Sequence, residues 1–106
     1  MSTENMVLRT IYVDSDVDDK LRNEALKNHT SKAKLFRNYL VAGIDAAKNH
    51  PDLLEKIQTE GGAPLILRTV HLDPKVDNKL RAEAFAKRTS KNDVMRRYVR
   101  IGMESL

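Results

Sequence analysis

Residues 8–43 and 67–102 carry nearly the same sequence, and this duplication constrains the fold more than any other feature of the chain. LRTIYVDSDVDDKLRNEALKNHTSKAKLFRNYLVAG aligns without gaps, at an offset of 59, with LRTVHLDPKVDNKLRAEAFAKRTSKNDVMRRYVRIG. Of these 36 positions 17 are identical, namely Leu8, Arg9, Thr10, Asp14, Val17, Asp18, Lys20, Leu21, Arg22, Glu24, Ala25, Thr30, Ser31, Lys32, Arg37, Tyr39 and Gly43. A unit of about 40 residues is too short to bury a sufficient core alone. Two such units in one chain predict that each completes the other, as a pseudo-symmetric intramolecular dimer. The expected organisation is a first repeat over 7–46, a linker with a short helix over 47–64, and a second repeat over 65–106, folded together as one unit.

Each repeat opens on an alternating, β-branched segment, Thr10-Ile11-Tyr12-Val13 and Thr69-Val70-His71-Leu72, which is the pattern of a half-buried strand. Ile11, Val13, Val70 and Leu72 share one face; Thr10, Tyr12, Thr69 and His71 share the other. Asp14 and Asp73 then stand where a helix N-cap belongs, and Pro74 fits the first helical position, where its missing N–H costs nothing. Asp16, Asp18 and Asp19 crowd the first turn, where the helix dipole favours negative charge. Val17, Leu21 and Ala25, with Val76, Leu80 and Ala84, form one apolar stripe per helix.

This first helix is expected to stop near Asn28-His29 and Lys87-Arg88, with a second beginning at the capping residues Ser31 and Ser90. Its apolar positions are Leu35, Phe36, Tyr39, Leu40 and Ile44, matched by Val94, Met95, Tyr98, Val99 and Met103. Tyr39 and Tyr98 are read as core residues with satisfied hydroxyls. Each repeat is therefore strand, helix, helix. Between the repeats, Pro51 breaks the chain, Leu53, Leu54 and Ile57 mark a short helix, and Gly61-Gly62 forms the exit.

Composition narrows the function classes. The chain has 106 residues and no cysteine, which excludes a disulfide framework and a thiolate metal site. No apolar run approaches the roughly 18 residues of a membrane span. MSTENMVLRT has no basic segment followed by an apolar stretch, so no secretory signal is expected, and the expected location is cytoplasmic. The net charge is +4, a basic excess that favours a polyanionic partner. It is uneven: residues 8–45 carry 7 basic and 6 acidic side chains, and residues 66–106 carry 10 basic and 5 acidic ones, a net of +1 against +5.

Strand, capped helix, short turn and serine-capped helix in about 40 residues resemble the ribbon-helix-helix fold of MetJ/Arc-type DNA-binding proteins. The motif LRT(I/V)-x-(V/L)-D-x-x-V-D-x-K-L-R carries the resemblance in both repeats. It implies a mainly α fold with a two-stranded antiparallel ribbon, Leu8–Val13 paired with Leu67–Leu72, entering the major groove of double-stranded DNA. It implies base reading by Thr10, Tyr12, Thr69 and His71. It implies a phosphate clamp at each second helix start, from Thr30, Ser31 and Lys32 and from Thr89, Ser90 and Lys91. The plainer reading of these positions is a solvated strand face and ordinary helix caps with exposed lysines. Arg9 and Arg68 share strand parity with the apolar face, and two roles stand open for them: contact with phosphates or bases from the ribbon ends, or a structural ion pair. The family usually has a glycine where His29 and Arg88 stand.

No catalytic constellation, phosphate loop or calcium loop is present in the sequence, and the three histidines, His29, His50 and His71, fall apart in the repeat scheme. The chain is therefore read as a non-enzyme without cofactor or metal. The expected function is sequence-specific double-stranded DNA binding, as a transcriptional regulator. The alternatives are a relaxosome accessory protein at a plasmid transfer origin, which the single-chain TraY-like arrangement suggests, and an antitoxin-like protein-interaction module. Self-association on longer DNA sites and a relaxosome or transcription-machinery partner belong to the same expectation. Differences between the repeats predict a directional site, with the more basic second repeat holding phosphate more strongly. Arg96, Arg97 and Arg100 are read as a solvated helix face.

Overall fold

A computed structural model describes residues 5–57 and 64–105. The chain runs β1 (Val7–Asp14), α1 (Ser15–Lys27), α2 (Lys32–Asn49), α3 (Leu53–Lys56), β2 (Leu65–Leu72), α4 (Pro74–Lys87) and α5 (Lys91–Ser105). The molecule is thus mainly helical, with a single two-stranded sheet among the described residues. Both strands extend beyond the expected spans, β1 by one residue at each end and β2 by two at its start. The Gly61-Gly62 exit lies outside the described residues. The inter-repeat helix is a single turn, with Ile57 as its C-cap.

β1 and β2 pair antiparallel, with Thr10 opposite Thr69, Leu8 opposite His71 and Tyr12 opposite Leu67. Each strand position therefore meets, across the ribbon, the counterpart of the position mirrored about Thr10. A two-stranded ribbon is marginal in water unless one face is covered. Here Ile11, Val13, Val70 and Leu72 are buried against the helices, as the alternation predicts. Leu21, Leu40, Leu72 and Leu80 are the most completely enclosed leucines, and each contributes about 2 to 3 kcal/mol on leaving water. The core they form is continuous across both repeats.

α2 and α5 pack closely at Gly43 and Gly102. A methyl group on Gly43 would strike the carbonyl of Tyr98, and one on Gly102 would strike that of Tyr39. Glycine is required at both places because backbone lies directly against backbone. The turns that lead into these helices also correspond. Thr30 N–H donates to the Ala25 carbonyl and Thr89 N–H to the Ala84 carbonyl, both at 3.0 Å, the six-to-one bond of a Schellman ending. His29 and Arg88 sit between helix end and turn with φ of 52° and 54°. They adopt the left-handed conformation that glycine takes without cost.

Ser31 and Ser90 cap as expected. Ser31 Oγ accepts from Lys34 N–H at 3.0 Å, and Ser90 Oγ from Asp93 N–H at 2.9 Å. Asp73 also caps, accepting from Lys75 N–H at 2.8 Å. Asp14 occupies the equivalent N-cap position but makes no side-chain cap bond. Its carboxylate is turned inward to Arg96 and Arg100, which hold it more strongly than a single helix amide would. Among the described residues, no helix is long and apolar enough to cross a membrane.

Candidate nucleic-acid interface

The side chains proposed to read DNA lie together on the outer face of the ribbon. Thr10, Tyr12 and Thr69 are exposed, and His71 is half-buried. Leu8, Leu65 and Leu67 share this face by strand parity and are exposed as well. None of the three is a candidate reading residue; Leu8 and Leu67 have this parity within the expected strands, whereas Leu65 precedes the expected second strand.

Two buried carboxylates, Asp18 and Asp77, organise the rest of the site. Asp18 accepts from Arg68 of β2 through Nε at 3.1 Å and a terminal nitrogen at 3.0 Å. It also bonds Lys32 of α2 at 2.6 Å and Arg22 of its own helix at 3.2 Å. Asp77 repeats the arrangement at the 59-residue offset. Arg9 of β1 reaches it through Nε at 3.3 Å and a terminal nitrogen at 3.1 Å. Lys91 of α5 follows at 2.6 Å and Arg81 at 3.2 Å. Each carboxylate therefore gathers one cation from a strand, one from a second-helix start and one from its own helix.

Burial by itself would push both carboxyls up. Hydrogen bonds from Arg68 and Lys32 to Asp18, and from Lys91 and Arg9 to Asp77, outweigh it and hold both below the ordinary aspartate range. The macrodipole reading of Asp18 was therefore incomplete, since this residue joins ribbon to helix. No sequence rule for a single helix finds such a contact, because the arginine that Asp18 holds comes from the other repeat.

Of the two roles open to Arg9 and Arg68, the structure adopts the ion pair. Their remaining guanidinium nitrogens turn back to the Leu8 and Leu67 carbonyls, at 3.1 and 3.4 Å. Lys32 and Lys91 likewise lean onto the buried aspartates. Every cation in the two clusters nevertheless keeps part of its surface in solvent. Three cations on one carboxylate give the Asp77 cluster a net charge of +2, whereas Arg22 also pairs with Asp19 at 3.2 Å, which leaves the Asp18 cluster at +1.

The second-helix starts adjoin the ribbon. Asn92, in the first turn of α5, pairs with the β1 backbone. It accepts from Tyr12 N–H at 2.8 Å and donates to the Tyr12 carbonyl at 3.1 Å. At the start of α2, Ser31 satisfies the Lys34 and Leu35 amides, so the Lys32 and Ala33 amides are the orphan donors of that turn. Thr30 lies beside them and is half-buried, whereas Thr89 donates through its hydroxyl to Asp93 at 3.1 Å. Among the described residues, no group of three or more His, Cys, Asp or Glu side chains is placed to hold a metal ion.

Arg96, Arg97 and Arg100 depart from the solvated-face expectation. Arg96 and Arg100 embrace Asp14, Arg100 also binds Asp16 at 2.9 Å, and Arg97 donates to the Ile57 carbonyl at 2.9 Å. The Arg100 hydrogen bonds, which outweigh burial, lower the Asp16 carboxyl. The chain matches no protein-family model, no curated protein and no solved structure.

Proposed function

We propose that the two repeats form an intramolecular ribbon-helix-helix pseudo-dimer that binds double-stranded DNA sequence-specifically, as a transcriptional regulator, with the β1–β2 ribbon in the major groove. The single observation that carries this reading is the pair of matching cationic clusters at Asp18 and Asp77. They include strand arginines on both sides of the Thr10–Thr69 step and the first residue of each second helix. Positive charge beside a narrow ribbon suits a duplex, whose phosphates lie on both sides of the groove that admits the ribbon. The symmetric register and the matching glycine crossing support the pseudo-dimer. A relaxosome accessory role would use the same surface on a transfer-origin sequence.

A salt titration with random-sequence duplex DNA tests the proposal. The expected result is a linear fall of log affinity with log salt, with a slope of about −0.9 for each phosphate neutralised. Lys32→Ala and Lys91→Ala should weaken all sequences alike, because they touch phosphate rather than bases. No binding to any duplex at about 50 mM salt, where phosphate contacts are strong, overturns the reading.

A further inference from the structure

The outer face of the ribbon is apolar where a base-reading surface usually carries amides or guanidinium groups. In cross-strand order it presents Leu8 beside His71, Thr10 beside Thr69, and Tyr12 beside Leu67. Leu8 is 57% exposed, Leu67 54% and Tyr12 49%. These are large apolar groups left in water at the centre of a charged surface. No Arg, Lys, Asn or Gln in the strands has the parity of this face. The strand arginines cannot turn to it without breaking their bonds, because Nε and both terminal nitrogens of Arg9 and Arg68 are already engaged.

Bidentate reading of guanine needs a free guanidinium or ammonium group, and bidentate reading of adenine needs a side-chain amide. The face offers neither. What it offers in quantity is methyl groups, from three leucines and two threonines, and the major groove has one apolar feature to match them, the C5-methyl of thymine.

Building on the DNA-binding reading above, we infer that the ribbon recognises its site chiefly through thymine methyl groups. Leu8 and Leu67 each cover one thymine, on opposite sides of the Thr10–Thr69 centre. The two leucines occupy corresponding positions of the repeat, so the methyl contacts are related by the pseudo-two-fold. His71 and Tyr12 also correspond, and they differ in chemistry between the two ends. The target class is therefore a duplex with thymine in both arms, made directional by a histidine at one end and a tyrosine at the other. A docked protein would cover the same leucines. The two cationic clusters alongside argue instead for a polyanion with apolar groups in its groove.

The test uses the whole chain and a duplex selected from a random library. Thymines in the selected site are replaced by deoxyuridine, which keeps the base pair and removes only the methyl. Each contacted thymine replaced should lower affinity by about fourfold, the effect of uncovering one methyl-sized group. Leu8→Ala and Leu67→Ala alter exposed side chains, so both variants should keep the wild-type thermal midpoint. Each variant should lose its share of the thymine-over-uracil preference and leave the rest. Specific binding that is indifferent to uracil, or selection of sites without thymine in one arm, overturns the methyl reading and leaves DNA binding standing. Absence of binding to any duplex overturns both and returns the leucine face to a protein partner.

Discussion

The two halves of the molecule agree at its centre and part along one helix face. α5 carries Asn92, Arg96, Arg97 and Arg100 where α2 carries Ala33, Arg37, Asn38 and Val41. The α5 side chains all brace other elements. Asn92 closes the β1 edge at Tyr12, Arg96 and Arg100 hold Asp14, and Arg97 caps the end of α3. On the α2 side, alanine cannot close the corresponding β2 edge at His71, and Val41 stays 44% exposed. Asp73, the counterpart of Asp14, remains an exposed helix cap. Identical positions thus build most of the frame that both halves share. Three differing positions, together with Arg96, whose identical counterpart Arg37 makes no such bond to Asp73, make α5 a brace that α2 does not reciprocate. The contrast also bears on charge. The surplus that the sequence places in the second repeat is partly taken up inside the molecule by Asp14 and Asp16 of the first.

The largest expected effect breaks this comparison at its most unequal pair. Asp14→Ala should destabilise the protein by about 4 kcal/mol, because it strands Arg96 and leaves Arg100 with Asp16 alone, and these arginines are only 16% and 13% exposed. Asp73→Ala removes one exposed cap and should cost about 1 kcal/mol. Urea midpoints of the two variants decide the matter. Equal losses would mean that the brace on Asp14 contributes no more than a cap.

Next in size is a pair that should behave alike. Gly43→Ala and Gly102→Ala each force a methyl into a carbonyl of the opposing helix, and each should cost about 3 kcal/mol by overpacking. Thermal unfolding of the two variants side by side measures it. A large difference between them would show that the α2–α5 contact is less symmetric than its glycines.

Much of this frame is legible in the sequence, and the reason is periodicity. Alternation placed Ile11, Val13, Val70 and Leu72 inward, helical spacing placed Leu21 and Leu80 inward, and Ser31 and Ser90 marked two helix starts. These are local signals, each read within a few residues. The contacts that escaped are those whose partners are far apart in the chain. Asp14 looks like a cap until Arg96 and Arg100 arrive from 82 and 86 residues away. Asp18 looks like a dipole partner until Arg68 arrives from the other repeat. His29 and Arg88 carry positive φ without the glycine that would announce it. In the candidate site, parity alone marked the outer face of the ribbon. Its apolar character was equally present in the sequence, at Leu8 and Leu67, but threonine and histidine drew attention because they can form hydrogen bonds.

The smaller of the two matched effects concerns the aspartate clusters, where the halves should again behave alike. Asp18→Asn and Asp77→Asn should each cost about 2 kcal/mol at neutral pH. That is less than for Asp14, because the cations left behind are more exposed and can turn to water. Both carboxyls are held below their ordinary value of 3.8 in the folded protein, so the unfolded chain takes up protons first as pH falls. Their contribution is therefore complete above that value and is lost as pH drops through the lower folded values. Asparagine imitates the protonated acid. The stability gap between wild type and either variant should accordingly be full at about pH 6 and close progressively below about pH 4. Urea titrations across that range follow the gap. If it stays constant into acid, the depressed carboxyls are not what ties the ribbon to the second helices. If only one variant shows the closure, the two clusters are not equivalent, and the half that lacks it holds its ribbon arginine by other means.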